Sequence, residues 1–215
     1  MARRALTTAA AAFATTAALL LTACGGGDDS SSDDIKGADG SSSPSASASA
    51  SSAAPDVKRP VIKLPSNFQV TFENWTSSDP VEQAVLNDGK EQLRAGYAAI
   101  IEKDPDSKAR AFYDTEAGFS QSREWIKGYT DKNLTVFGKL PVFDPKVSIA
   151  KNKTAASLSY CTDESKGYTK NRKTGEVKGN PAGTDPEVFY LISMAKSAQG
   201  VWQTVSARSE RGGCS

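Results

Sequence analysis

The chain has 215 residues, a formal net charge of +1 and no histidine. Without an imidazole, Ser-His-Asp and Cys-His catalysis are excluded in their usual forms, as are His-based metal sites. The near-neutral balance lacks the basic footprint of a nucleic-acid binder.

Residues 1–23 have the three parts of an export signal peptide. Arg3 and Arg4 form a positive start, Ala5 to Leu21 is uncharged, and Thr22-Ala23 supplies small residues at the cleavage point. The segment Leu21-Thr22-Ala23-Cys24 resembles a bacterial lipobox. That resemblance implies that Cys24 is lipidated and begins the mature chain. Stable anchoring takes two acyl chains at roughly 0.8 kcal/mol per buried methylene, which a diacylglycerol on the Cys24 thiol would supply. The alternatives are an ordinary secretory signal and a permanent membrane helix. The latter needs about 20 strongly apolar residues, whereas Thr7, Thr8, Thr15 and Thr16 dilute this run. The expected location is the outer face of the cytoplasmic membrane, lipid-anchored and extracytoplasmic.

Residues 24–60 form a Ser/Ala/Gly/Asp-rich tract with Ile35 as an isolated aliphatic before Val57. Such a segment buries too little apolar surface to offset chain ordering, so it is expected to be a disordered tether. From Gly25 to Asp56 a flexible coil would span roughly 30 Å. Residues 24–59 carry six Asp and three basic residues, whereas residues 60–215 carry 21 basic and 19 acidic ones. The remainder, 61–215, has the size of one globular domain. With Cys24 assigned to the lipid, Cys161 and Cys214 are left. In an oxidising compartment an even pair reads most simply as one disulfide, with two free thiols as the alternative.

Within the domain, Val61 to Thr71 reads as a leading strand or extended arm. Asp79-Pro80-Val81-Glu82 carries helix-start signals, an Asp cap followed by Pro and Glu. Val81, Val85, Leu93, Tyr97, Ile100 and Ile101 then recur at helical spacing as far as Glu102. Asp104-Pro105-Asp106 breaks this helix and reads as a cap rather than a metal site. Further helices are predicted over Ser107 to Glu116 and Phe119 to Tyr129, the latter with Trp125 and Ile126 inward. Strands are predicted over Leu134 to Phe143, Val147 to Ala150, Ala156 to Cys161, Val188 to Ile192 and Val201 to Val205, with a hairpin tip at Thr174-Gly175. Helices followed by antiparallel strands give an α+β class rather than βαβ alternation.

From about Trp75 to Cys214 the chain resembles the nuclear transport factor two-like superfamily, the cone fold shared with ketosteroid isomerase and small polyketide cyclases. It resembles in particular the secreted actinobacterial lipoprotein branch. The carrying segments are Tyr97-Ala98-Ala99-Ile100, Phe112-Tyr113-Asp114-Thr115-Glu116-Ala117, Leu158-Ser159-Tyr160-Cys161-Thr162-Asp163 and Gly200-Val201-Trp202. The resemblance implies three N-terminal helices packed on a strongly bent, cystatin-like antiparallel sheet of four to six strands, with a pocket between them. The superfamily holds both enzymes and silent binding modules, so fold alone does not choose.

Tyr97, Tyr113, Trp125, Tyr160, Tyr190 and Trp202 are the candidate ligand-binding residues, because rings with polar tips suit a small amphipathic ligand. Tyr129 belongs to the same aromatic set, and packing beneath the sheet is the alternative role for all of them. Asp163 is the weak candidate for a general base, with Tyr97 or Tyr113 as hydrogen-bond donor. A strand-end Asp that accepts turn hydrogen bonds is the plainer reading. Lys166, Lys170, Arg172, Lys173 and Lys178 make a basic hairpin, either a contact for an anionic surface or a solvated tip. No phosphate-cradling loop or metal-spaced cysteine pair occurs, so neither cofactor nor metal is expected. The leading reading is a non-catalytic, lipid-anchored binding or interaction module of the envelope. Its partners would be the membrane and an envelope protein or small amphipathic ligand, with a homodimer through the sheet and no nucleic acid. The alternative is an envelope enzyme of the isomerase or cyclase type.

Overall fold

The computed structural model describes residues 57–214, so the signal segment, Cys24 and almost all of the tether lie outside the described residues. The element order is β1 (Phe68–Phe72), α1 (Pro80–Glu102), α2 (Lys108–Phe112), α3 (Glu116–Thr130), β2 (Leu134–Ile149), β3 (Ala155–Asp163), β4 (Gly167–Asn171), β5 (Val177–Lys178), β6 (Glu187–Lys196) and β7 (Trp202–Arg211). The class is α+β, with three helices and a strongly curled, mainly antiparallel sheet. The sheet has seven strands rather than four to six, in the order β5-β4-β2-β3-β6-β7 with β1 beside β2. A strand therefore precedes the helices, and β1 pairs with β2 in parallel, Phe68 to Phe72 opposite Gly138 to Val142.

Helix α1 starts where its capping signals place it. The Asp79 carboxylate accepts from the backbone N–H groups of Val81 and Glu82 at 2.7 and 3.0 Å, which satisfies two otherwise unpaired first-turn donors. Val85, Leu86, Leu93, Tyr97 and Ile100 face the sheet and are buried against Leu140, Val142, Leu158 and Ile192. Helix α2 is shorter than predicted. Ser107 caps it, accepting from the Arg110 N–H, and Phe112 ends it. The next residues are drawn onto β7 instead: Thr204 donates its N–H to the Tyr113 carbonyl at 2.9 Å, and Thr115 donates to the Thr204 carbonyl at 2.9 Å. Thr115 then caps α3, which starts at Glu116 rather than Phe119.

The two strands predicted on either side of Asp144-Pro145 are one bent strand, β2. Asp144 takes a positive φ of 50°, and the register with β3 shifts between Phe143 and Lys146, a bulge that bends the strand without ending it. Its first half pairs with β4 and its second half with β3.

The disulfide is present: Cys161 on β3 is bonded to Cys214, with their Cα atoms 6.0 Å apart. Cys161 lies opposite Phe189 on β6, which lies opposite Glu210 on β7. The chain after β7 therefore turns back across β6 to reach β3.

Candidate functional site

The helical layer and the sheet do not close fully on each other. Between them is a cavity of about 200 Å³. One face of α3 supplies Gly118, Gln121, Ser122 and Trp125, at the three- and four-residue spacing that aligns side chains on a helix. Helix α1 adds Gln92, Leu93 and Tyr97, and α2 adds Arg110. The sheet contributes Tyr160 from β3, Tyr190 and Ile192 from alternate positions on β6, and the Thr204 to Ser209 stretch of β7. Gly96 makes the approach of α3 possible. A Cβ there would lie 2.9 Å from the Trp125 ring and 3.1 Å from Arg110 Nη1.

Four of the six predicted ligand-binding aromatics meet here: Tyr97, Trp125, Tyr160 and Tyr190. Tyr160 and Tyr190 sit opposite each other on paired strands and stack, with centroids 5.2 Å apart and planes 17° from parallel. Trp125 meets Tyr97 edge-on at 5.6 Å and is 37% exposed at the rim, so of the predicted inward pair only Ile126 is sealed. Burial raises the phenol pKa values of Tyr97, Tyr160 and Tyr190, which keeps these groups protonated hydrogen-bond donors. Their hydroxyls have no partner among the described residues and, unlike that of Tyr113, are not sealed from solvent.

The other two aromatics belong to the core. Tyr113 is 0% exposed in a smaller cluster with Ile62, Ala95, Ala98 and Val201, and burial pushes its phenol up to about 12. Trp202 is also fully buried, in the main core. Their ring chemistry is the same, but their elements turn them away from the cavity. Asp163 ends β3 and accepts the Ser165 N–H at 2.8 Å in a turn, and it does not line the cavity. Of the candidate base Asp163 and its candidate donors Tyr97 or Tyr113, only Tyr97 lines the cavity. In the basic hairpin, Arg172 Nη2 donates to the carbonyls of Ile100 and Ile101 at the end of α1, at 2.9 and 2.7 Å. Lys178 pairs with Glu176 at 3.1 Å.

Sequence reasoning missed the polar group at the base of the cavity. Arg110 Nε donates to Asp114 Oδ2 at 2.7 Å, Ser122 Oγ donates to the same oxygen at 2.6 Å, and Arg110 Nη1 donates to the Gln92 carbonyl at 2.7 Å. Arg110 is 5% and Asp114 3% exposed. A buried pair offsets its desolvation with good geometry and added hydrogen bonds; Ser122 and the Gln92 carbonyl supply such bonds, while Asp114 Oδ1 has no partner among the described residues. The i, i+4 spacing of Arg110 and Asp114 is the one signal that pointed to them. That spacing is common on exposed helices and does not reveal burial.

No family model matches the sequence, and no curated protein matches it. Solved structures that resemble the chain include a ketosteroid isomerase-like protein from Erwinia carotovora atroseptica, at 18% identity, covering 57% of this chain and 92% of that one, with a TM-score of 0.39. ActVI-ORFA from Streptomyces coelicolor is similar at 10% identity, covering 62% and 98%, with a TM-score of 0.42. The intermembrane space region of the chloroplast protein ARC6 is similar at 6% identity, covering 60% and 96%, also at 0.42. Ketosteroid-isomerase-like proteins are thus among the solved structures that the chain resembles. At TM-scores below 0.5, no activity or residue role is carried over.

Proposed function

We propose that this protein is a lipid-anchored, extracytoplasmic binding module of the cell envelope that holds a small amphipathic ligand without transforming it. Cys24 would fix it to the outer face of the cytoplasmic membrane, and residues 25–56 would let the domain reach outward. The support for this placement is the export signal and the Leu-Thr-Ala-Cys pattern.

The observation that carries the binding reading is the cavity's division of labour. Its walls offer rings and unpartnered phenol hydroxyls, while no carboxylate is among its lining residues. Asp114, a buried acid bonded to two of the lining residues, gives one oxygen to Arg110 and Ser122, and its other oxygen is sealed from solvent. A general base needs a free lone pair within reach of the substrate proton. The site therefore suits binding better than proton abstraction.

The test is to titrate purified protein with amphipathic aromatic compounds while following Trp125 fluorescence, using Trp125→Phe to assign the signal. Saturable binding with the ligand recovered unchanged is expected. Time-dependent conversion of the ligand would establish the isomerase or cyclase alternative instead.

A further inference from the structure

The cavity has an unbalanced charge. Its charged lining residues are Arg110 at depth and Arg208 on β7. Arg208 is exposed and belongs to none of the ion pairs among the described residues. Arg110 is nine-tenths buried, yet its hydrogen bonds use only Nε and Nη1. A guanidinium has five N–H donors in a planar fork, so one edge can serve Asp114 while another serves a second acceptor. The Nη2 of Arg110 has no hydrogen-bond partner among the described residues, and Arg110 lines the cavity.

We propose that the ligand is an amphipathic monocarboxylate, with its acid group held by Arg110 Nη2 and the charge of Arg208 offsetting it at the mouth. This rests on the binding reading above and adds the chemical class. Asp114 already balances Arg110, which leaves one positive charge for the ligand to neutralise. A single carboxylate does so. A phosphate monoester, at about −1.5 to −2 near neutrality, overshoots it. Behind the acid, the face of Tyr160-Tyr190 and the edge of Trp125 accept a flat apolar body. The volume of about 200 Å³ is below the ~300 Å³ at which ordinary ligand pockets begin. The body is therefore one or two fused rings, not a lipid.

The experiment compares 2-naphthoate with its neutral isostere 2-naphthamide, binding to the full chain carrying Cys24→Ala so that acyl chains do not take up the probe. Naphthoate is expected to bind about tenfold more tightly than naphthamide, the size of one charge-assisted hydrogen bond. Its affinity should fall with added salt. The exposed substitution Arg208→Gln should weaken naphthoate several-fold and leave naphthamide unchanged. Arg110→Gln alone would strand the buried Asp114 charge, so the paired change Arg110→Gln with Asp114→Asn is used, and it should reduce the preference for the acid to the several-fold share that Arg208 supplies. Equal affinity for acid and amide overturns the monocarboxylate assignment while leaving the binding reading standing. Failure of both compounds to bind overturns both.

Discussion

Asp88 is 1% exposed and accepts hydrogen bonds from two segments far from it in sequence. Arg59 donates to it through Nε at 3.0 Å and Nη2 at 3.2 Å, and the Trp202 backbone N–H donates at 2.9 Å. Burial nevertheless raises its pKa above the ordinary 3.8, against the opposing pull of the Trp202 N–H and the Arg59 charge. The folded state thus holds this proton more tightly than the unfolded chain. Its contribution to stability declines as pH rises from 3.8 through the raised folded value. Arg59→Gln removes an influence that lowers the pKa and so extends that window upward. The variant should be less stable at pH 7 by about 1–2 kcal/mol, a discounted figure because Arg59 is half-exposed. The deficit should shrink at pH 5. Urea unfolding at both values checks this, and a deficit independent of pH would attribute the effect to the packing of the Arg59 stem. Gly118 gives a second prediction at this scale. A Cβ there would run into the backbone carbonyl of Thr204, so Gly118→Ala should cost about 1–3 kcal/mol and separate α3 from β7. Thermal unfolding measures the loss, and an unchanged midpoint would mean that the two elements part without penalty.

At the scale of elements, legibility followed how local each determinant is. The start of α1 was readable because Asp79, Pro80 and Glu82 are adjacent and act on their own backbone. The end of α2 was not, because Thr204, far along the chain, claims the backbone of Tyr113 and Thr115. Two strands were predicted where β2 is one, because the gap between Phe143 and Val147 holds a bulge, with Asp144 at a positive φ, that only its partners on both sides keep within the sheet. The disulfide acts at this scale too, pinning the tail after β7 to β3 across an interval of 53 residues. Loop-closure entropy puts its contribution at about 4 kcal/mol. Cys214→Ser should therefore lower the unfolding free energy by about 2–4 kcal/mol in urea, and parent protein treated with reductant should match it. If the substitution left stability unchanged, the cross-link would not constrain the unfolded chain as argued.

For the whole molecule, the proposed anchor makes Cys24 the residue that decides where the domain resides. Cys24→Ala should move the protein from the membrane fraction to the medium or leave its signal uncleaved, which fractionation and intact mass would show. Unchanged processing and membrane retention would sink the anchor. The sequence by itself determined features that depend on neighbours, the cap of α1 and the alternation of the strands, and it made a Cys161–Cys214 bond the simplest reading beside two free thiols, which the structure resolves in favour of the bond. It did not separate Tyr97, Trp125, Tyr160 and Tyr190, which line the cavity, from Tyr113 and Trp202, which are sealed in the cores. Nor did it show that Arg110, Asp114 and Ser122 form one buried cluster. Only the tertiary structure decided these. A ring packs equally well against a core or a cavity wall, and the difference is set by gaps between α1, α3, β6 and β7. Those gaps arise from contacts between residues distant in the chain, which no local pattern encodes.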